Sequence, residues 1–354
     1  MRLGMLPLLK KSSYGNMIKR VLADLKQVPN MEIALCTDDV EPDGIISEGL
    51  MDNVLREVIA NGVPPAFAYR WATLNGARHY HLKDQGGIAP GYLADILLLN
   101  SLEEVRVCDV FANGKQVVQN GKLTAEISEP PVSIDARNTM HFHSRPTRET
   151  FMVKAPIENG KLDVNAIEMR EANLTVLART SVTVENHYLT LKGLPDDFCF
   201  MSVVPRHGQP HPAQTVLLGG LRMRRGTLAA TVAHDSHNLL VVGHNPDDML
   251  LAALELEKCG GGILFADGGK VLGKLELPVA GLMSPKSVAE LAEENAVMNR
   301  IGREWGIQDE SPILSIAGLA LLVIPEVRIS DTLGLFDTIR SEERRVGKEC
   351  RSRW

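Results

Sequence analysis

The stretch Met31-Glu32-Ile33-Ala34-Leu35-Cys36-Thr37-Asp38-Asp39 constrains the fold more than any other. An apolar run stops abruptly at two adjacent carboxylates. Its length and bounds predict a short buried strand over Met31 to Cys36, with Thr37-Asp38-Asp39 at its C-terminal mouth. In barrels of alternating strands and helices, catalytic groups sit at the C-terminal ends of strands. Two neighbouring carboxylates there repel each other unless a cation or a donor network lies between them. Divalent metals accept carboxylate oxygen as a ligand. The pair equally suits a helix N-cap, since Asp is a favoured cap and a helix is expected next. On the residues alone both readings stand.

Ile18, Val21, Leu22 and Leu25 have helical spacing. Ser47 is a candidate cap for a helix with apolar residues at Leu50, Met51, Val54, Leu55, Val58 and Ile59. Gly62 ends that helix and Pro64-Pro65 opens the next, which buries Phe67, Trp71 and Ala72. Residues 84–125 turn to β character: a strand from Ala94 to Leu99, then Val105 to Ala112 and Gln116 to Gln119 around the hairpin signal Asn113-Gly114. Residues 126–145 are Pro-rich and polar, a linker. Further strands are expected at Leu174–Leu177, Val182–Val184, Phe198–Val204, Thr215–Leu218, Leu239–Val242, Ile263–Ala266 and Val271–Leu277. Asn245-Pro246 opens a helix that stops at Gly260-Gly261-Gly262, and Ser284-Pro285 opens a last one. The glycine triplet lacks the Lys-Ser/Thr that a phosphate loop needs, so a helix stop is its reading.

With 354 residues and 44% hydrophobic content, the chain can build two cores. A net charge of −6 without a long basic run gives nucleic acid or a membrane no surface to hold. No apolar stretch is long enough to span a bilayer, and the N-terminus reads as lacking a signal peptide. Five scattered cysteines without a CxxC pair suggest a reducing cytoplasm.

Taken together, Cys36-Thr37-Asp38-Asp39, Asp43, Ser47-Glu48-Gly49 and Asp52 resemble the last barrel strand and loop of the bacterial adenine deaminases, of the amidohydrolase superfamily. The resemblance continues through Gly87-Ile88-Ala89-Pro90-Gly91-Tyr92-Leu93-Ala94-Asp95, shared by many amidohydrolases. It extends through Ala233-His234-Asp235-Ser236-His237-Asn238 and Leu277-Pro278-Val279-Ala280-Gly281-Leu282-Met283-Ser284, which are specific to adenine deaminases. It covers residues 1 to 337. It implies an α/β and α+β chain: the end of a (β/α)8 amidohydrolase barrel at 1–83, part of a small composite β-domain at 84–125, a linker at 126–149, and a C-terminal α+β adenine deaminase domain at 150–340. Residues 341–354 fall outside the pattern and read as a non-native tail. The Leu-Gly-Met segment at the start resembles a barrel interior, so the chain is expected to begin near the seventh strand.

The resemblance also implies the chemistry: hydrolytic deamination of adenine to hypoxanthine and ammonia. Water is a weak nucleophile at neutral pH, and a metal lowers its pKa. A carboxylate nearby takes the water's proton and returns it to the ring nitrogen and the departing amine. Asp38 is the candidate for both metal ligand and proton shuttle, and Asp39 the candidate for orienting it. Manganese or iron is the expected metal, with zinc as a third option, since carboxylate and imidazole suit all three. The remaining ligands would lie upstream of Met1, so this chain alone is expected to be inactive. Where relatives carry Gly-His-apolar-Asp, this chain has Gly49-Leu50-Met51-Asp52. The resemblance further implies a homo-oligomer.

Two histidine motifs carry alternatives. His141-Phe142-His143 has the form of a metal motif, but it lacks a preceding apolar strand and follows the barrel; it reads as part of the linker. His234, Asp235 and His237 either form a polar turn with solvated rings or reach metal or substrate at the barrel mouth. The zinc-deaminase signature H-x-E…P-C-x-x-C is absent. Two competing readings remain open: another amidohydrolase acting on a cyclic amide, and a non-catalytic binding or assembly protein that lost the metal site.

Overall fold

The computed structural model describes residues 5–13, 15–16, 18–21, 31–126, 134–170 and 174–339. It divides into two compact units, Met1–Pro131 and Val132–Trp354. The tail 341–354 and most of the helix expected after Ile18 lie outside the described residues; 18–21 is helical.

In the first unit, β1 (Leu8–Ser12) pairs antiparallel with the short β2 (Gly15–Asn16) and parallel with β3 (Ala34–Thr37). The strand expected over Met31–Cys36 is therefore shorter at its start and one residue longer at its end. Its register with Leu8–Lys11 sets those limits, and the Asp38 N–H continues the ladder by donating to Lys11 O at 3.1 Å.

Four helices follow: α1 (Pro42–Glu48), α2 (Met51–Ala60), α3 (Pro65–Ala72) and α4 (Leu74–His79). The expected cap at Ser47 is wrong. Ser47 lies inside α1, where its hydroxyl donates to Asp43 O at 2.7 Å, and Leu50 occupies the N-cap position of α2. Asp52 compensates from within the first turn, accepting the Leu50 N–H at 2.8 Å. Pro64-Pro65 does open α3, where the missing N–H costs nothing. Val54, Leu55 and Val58 of α2 and Ala68 and Trp71 of α3 pack on Leu9, Ile33 and Leu35. The buried Asn75 of α4 donates to Ile33 O at 2.7 Å, tying the helices to β3.

A four-stranded antiparallel sheet completes the unit: β4 (Ile96–Leu99), β5 (Val107–Ala112), β6 (Lys115–Gln119) and β7 (Lys122–Leu123). Asn113 and Gly114 at the β5–β6 turn both have positive φ, 48° and 75°, the geometry a two-residue hairpin demands.

The second unit opens with α5 (Ile134–Arg137) and a 3₁₀ turn (Arg148–Phe151). Its strands are β8 (Gly160–Met169), β9 (Thr175–Glu185), β10 (Tyr188–Thr190), β11 (Cys199–Val204), β12 (Gln214–Gly219), β13 (Thr227–Ala230), β14 (Leu239–Gly243), β15 (Gly262–Asp267) and β16 (Lys270–Glu276). They form one nine-stranded sheet in the order β10-β9-β8-β12-β11-β14-β13-β15-β16, antiparallel except where β12 lies beside β8. The separate strands expected at 174–177 and 182–184 are one strand, β9, pinned by ten register pairs to β8. β8 escapes a search for apolar runs because Lys161, Asp163 and Asn165 alternate along it on its exposed side.

β11, β13 and β14 are buried at every residue, so both sheet faces are covered. On one face, α6 (Pro246–Cys259) packs Met249, Ala252, Ala253 and Leu256 against Leu264 and Ala266. Leu264 and Ala266 flank Phe265, which points to the other face and meets Trp305 edge-on at 5.1 Å between ring centroids. Trp305 ends α7 (Val288–Trp305). The cap of α7 is Ser287, not Ser284: Ser287 and Glu290 form a reciprocal capping box. The β17 (Val327–Ser330) and β18 (Gly334–Asp337) hairpin closes the unit.

Candidate functional site

β3 ends at Thr37, so Asp38 stands immediately beyond the carboxyl end of a parallel strand. One carboxylate oxygen, Oδ1, accepts the Asp39 N–H at 3.0 Å, and the other, Oδ2, is ion-paired with Lys10 Nζ from β1. Register explains that contact, because Lys10 lies directly opposite Cys36 in the ladder. The Cys36 thiol is pushed above its usual range, first by burial and then by the negative charge of Asp38, so it stays protonated. The next lysine, Lys11, reaches Glu57 at 3.0 Å and Glu48 at 3.6 Å. Asp39 O accepts the Ser13 N–H at 2.9 Å, which joins the two strand ends. Leu50 exposes 42% of its surface just before α2.

A divalent ion needs several oxygen, nitrogen or sulfur ligands at once. Among the described residues no group of three or more His, Cys, Asp or Glu side chains is placed to hold one. Asp38 offers one carboxylate, already neutralised by an ammonium. The described residues by themselves do not fit the ion.

The second constellation lies in the other unit, in the β13–β14 connection. His237 has φ 49° and donates its N–H to Ala233 O at 2.7 Å. Its ring meets His234 edge-on at 5.5 Å, and its Nδ1 is buried without a hydrogen-bond partner. Burial is the chief cause that holds the His237 pKa below the ordinary imidazole value, with the neighbouring His234 and Arg206 charges adding to it. The ring is therefore neutral at physiological pH. Asn238 donates to Asp331 at 3.1 Å and accepts the Arg206 N–H at 3.1 Å.

Arg206 organises this region, and no sequence motif announced it. It is only 1% exposed. Its Nε donates to His237 O at 2.5 Å, Nη1 to Thr139 O and Oγ1 at 3.1 Å each, and Nη2 to Ala280 O at 2.9 Å. Three separate chain segments thus converge on one guanidinium. Burial pulls its pKa down to about 10, which leaves it cationic at neutral pH. Gly281 is required beside it: φ is +71°, and a Cβ would come within 2.8 Å of the guanidinium nitrogens. Thr231 adds a second tie, accepting the Gly262 N–H at 2.8 Å and donating to Gly281 O at 2.5 Å. The His234–Asn238 and Leu277–Ser284 motifs, about forty residues apart in sequence, are therefore parts of one structure. The available signal was an arginine two residues beyond a mostly apolar strand that is buried throughout, a position where a charge needs partners.

Comparison with known proteins gives the class first. Residues 14–117 match the amidohydrolase family. Residues 172–342 match the adenine deaminase C-terminal domain. An adenine deaminase from Moorella thermoacetica is 35% identical over 344 residues, covering 96% of this chain and 57% of the relative. One from Clostridium botulinum strain Langeland is 33% identical over 353 residues, covering 97% and 57%. Adenine deaminase 2 from Carboxydothermus hydrogenoformans is 34% identical over 328 residues, covering 91% and 56%. The two matched segments of this chain belong to the amidohydrolase family and to the adenine deaminase C-terminal domain family. The chain spans little more than half the length of these relatives. Membership implies a divalent metal. No described helix is long and apolar enough to cross a membrane.

Proposed function

We propose that this chain contributes to the hydrolytic deamination of adenine to hypoxanthine and ammonia. The observation that carries the reading is the joint presence of an amidohydrolase segment and an adenine deaminase C-terminal domain in one chain. Residues 1–83 are assigned to the end of a (β/α)8 barrel, 84–125 to a composite β-domain, 126–149 to a linker and 150–340 to the C-terminal domain. The parallel β1–β3 pair followed by helices supports the barrel assignment.

In the reaction a water oxygen bonds to C6 of the purine, the C6–N bond breaks and ammonia leaves. Asp38 is assigned as the base that takes the water's proton and returns it to the ring and the departing amine. Its position beyond a strand end, with an ammonium on one oxygen, leaves a carboxylate in a polar corner suited to that transfer. Asp39 is assigned to hold Asp38, supported by the Asp39 N–H on Asp38 Oδ1. Asp38 is also the residue that would contribute a metal ligand, to manganese or iron in preference to zinc. His234, Asp235 and His237 are assigned to contact with substrate or metal. The neutral His237 ring, with its buried and unpartnered nitrogen, supports a polar contact to the base. A cytoplasmic homo-oligomer completes the reading.

The test is a chimera in which this chain replaces the corresponding segment of the Moorella thermoacetica relative. Loaded with manganese or iron, it is expected to release ammonia from adenine. A folded, metal-loaded chimera that releases none overturns the reading, and the Lys10–Asp38 pairing then favours the non-catalytic alternative.

A further inference from the structure

His141-Phe142-His143 leads to a second site. The His141 N–H donates to Arg206 O at 2.8 Å and the Gly208 N–H donates to His141 O at 2.7 Å, so the two segments run side by side as a parallel bridge. His143 and His211, each beyond that bridge, line one cleft of about 660 Å³. The cleft also takes in the end of β11 at Val204, Thr215 of β12, and Lys154. Its volume is that of a small-molecule site.

The charge lining the cleft is one-sided: His143, Arg145, Lys154 and His211 face a single carboxylate, Glu149. Glu149 is committed to the Thr147 hydroxyl at 2.8 Å, and that bond is the chief cause holding its carboxyl below the usual range. Arg145 is committed to Glu257 at 3.0 Å. The other three basic groups are not. Lys154 and His143 make no side-chain hydrogen bond or ion pair among the described residues. His211 Nδ1 is buried and has no hydrogen-bond partner. An ammonium and two imidazoles lining a cleft, against one carboxylate that accepts the Thr147 hydroxyl, match the oxygens of a tetrahedral anion.

We propose that this cleft binds a small molecule through a phosphate group, with Lys154, His143 and His211 on its oxygens. The proposal does not rest on adenine deamination, since none of these residues was assigned to it. Free phosphate and a phosphomonoester present the same oxygens. The experiment titrates the full chain at low ionic strength with inorganic phosphate, then with a nucleoside monophosphate, by calorimetry and ³¹P line broadening. Saturable binding of one ligand per chain is expected, and a tighter monophosphate would identify the phosphomonoester as the source. Lys154→Met is expected to weaken binding at least about tenfold, as the loss of a charge-assisted hydrogen bond implies. Lys154→Arg should retain it, and His211→Asn should weaken it several-fold. His143→Ala, at an exposed position, keeps the test available if a buried variant misfolds. Absence of saturable binding by both probes overturns the proposal. So does binding that Lys154→Met and His143→Ala, both folded, leave within about twofold of the original.

Discussion

At Asp38 a carboxylate whose side chain is 36% exposed meets an ammonium at the end of a parallel ladder. At Arg206 a guanidinium only 1% exposed is held entirely by uncharged oxygens from three segments. Water screens the first arrangement, so its ion pair is worth little to stability. The second cannot be screened, and each bond lost there leaves a buried polar group unmet. One arrangement leaves a charged group adjustable, and the other fixes the shape of a loop. Asp38 can change partners cheaply, as the proton transfer proposed for it requires, whereas Arg206 fixes the loop that carries the histidines.

Breaking the comparison begins with Arg206. Arg206→Met removes the guanidinium and strands the carbonyls of Thr139, His237 and Ala280. A loss of at least about 3 kcal/mol is expected in urea unfolding of the second unit. A loss below about 1 kcal/mol would mean that these oxygens find water and that Arg206 is no hub. Next is Asn75→Ala, which deletes the buried bond to Ile33 O behind β3. It should cost about 1–3 kcal/mol in the first unit while leaving the second unit's transition in place.

A pH test sharpens the contrast. The folded His237 pKa lies below its unfolded value, so the unfolded chain binds more protons as acid is added. The stabilisation is complete above the unfolded imidazole value of about 6.5 and is lost as pH falls through the folded value. His237→Gln should flatten that slope between neutral and mildly acid pH. An unchanged slope would show that the ring is freely solvated. The smallest effect belongs to Lys10→Met, which frees Asp38 of its partner; it should lower the unfolding free energy by no more than about 1 kcal/mol.

What the sequence disclosed follows the same division. Asp38 was legible because an apolar run ending in carboxylates is a local pattern. The hairpin at Asn113-Gly114, the helix start at Pro65 and the cap at Asn245 are local too. Ser47 misled because a good capping residue in sequence can lie inside a helix when a proline, here Pro42, has already opened one. β8 was hidden by its polar outer side, and its place came from pairing with β9 and β12. Arg206 was hidden for a different reason: its partners are backbone carbonyls scattered between Thr139 and Ala280, and carbonyls leave no trace in the sequence. The two adenine deaminase motifs were each visible, but their junction was not.

The most direct test of the account measures ammonia release from adenine by the metal-loaded chimera carrying Asp38→Asn, with its urea midpoint taken on the same sample. Turnover is expected to fall at least about a hundredfold, the scale of a lost general base, with the midpoint nearly unmoved. Turnover that survives the substitution, or an unfolding loss as large as that of Arg206→Met, would contradict that expectation.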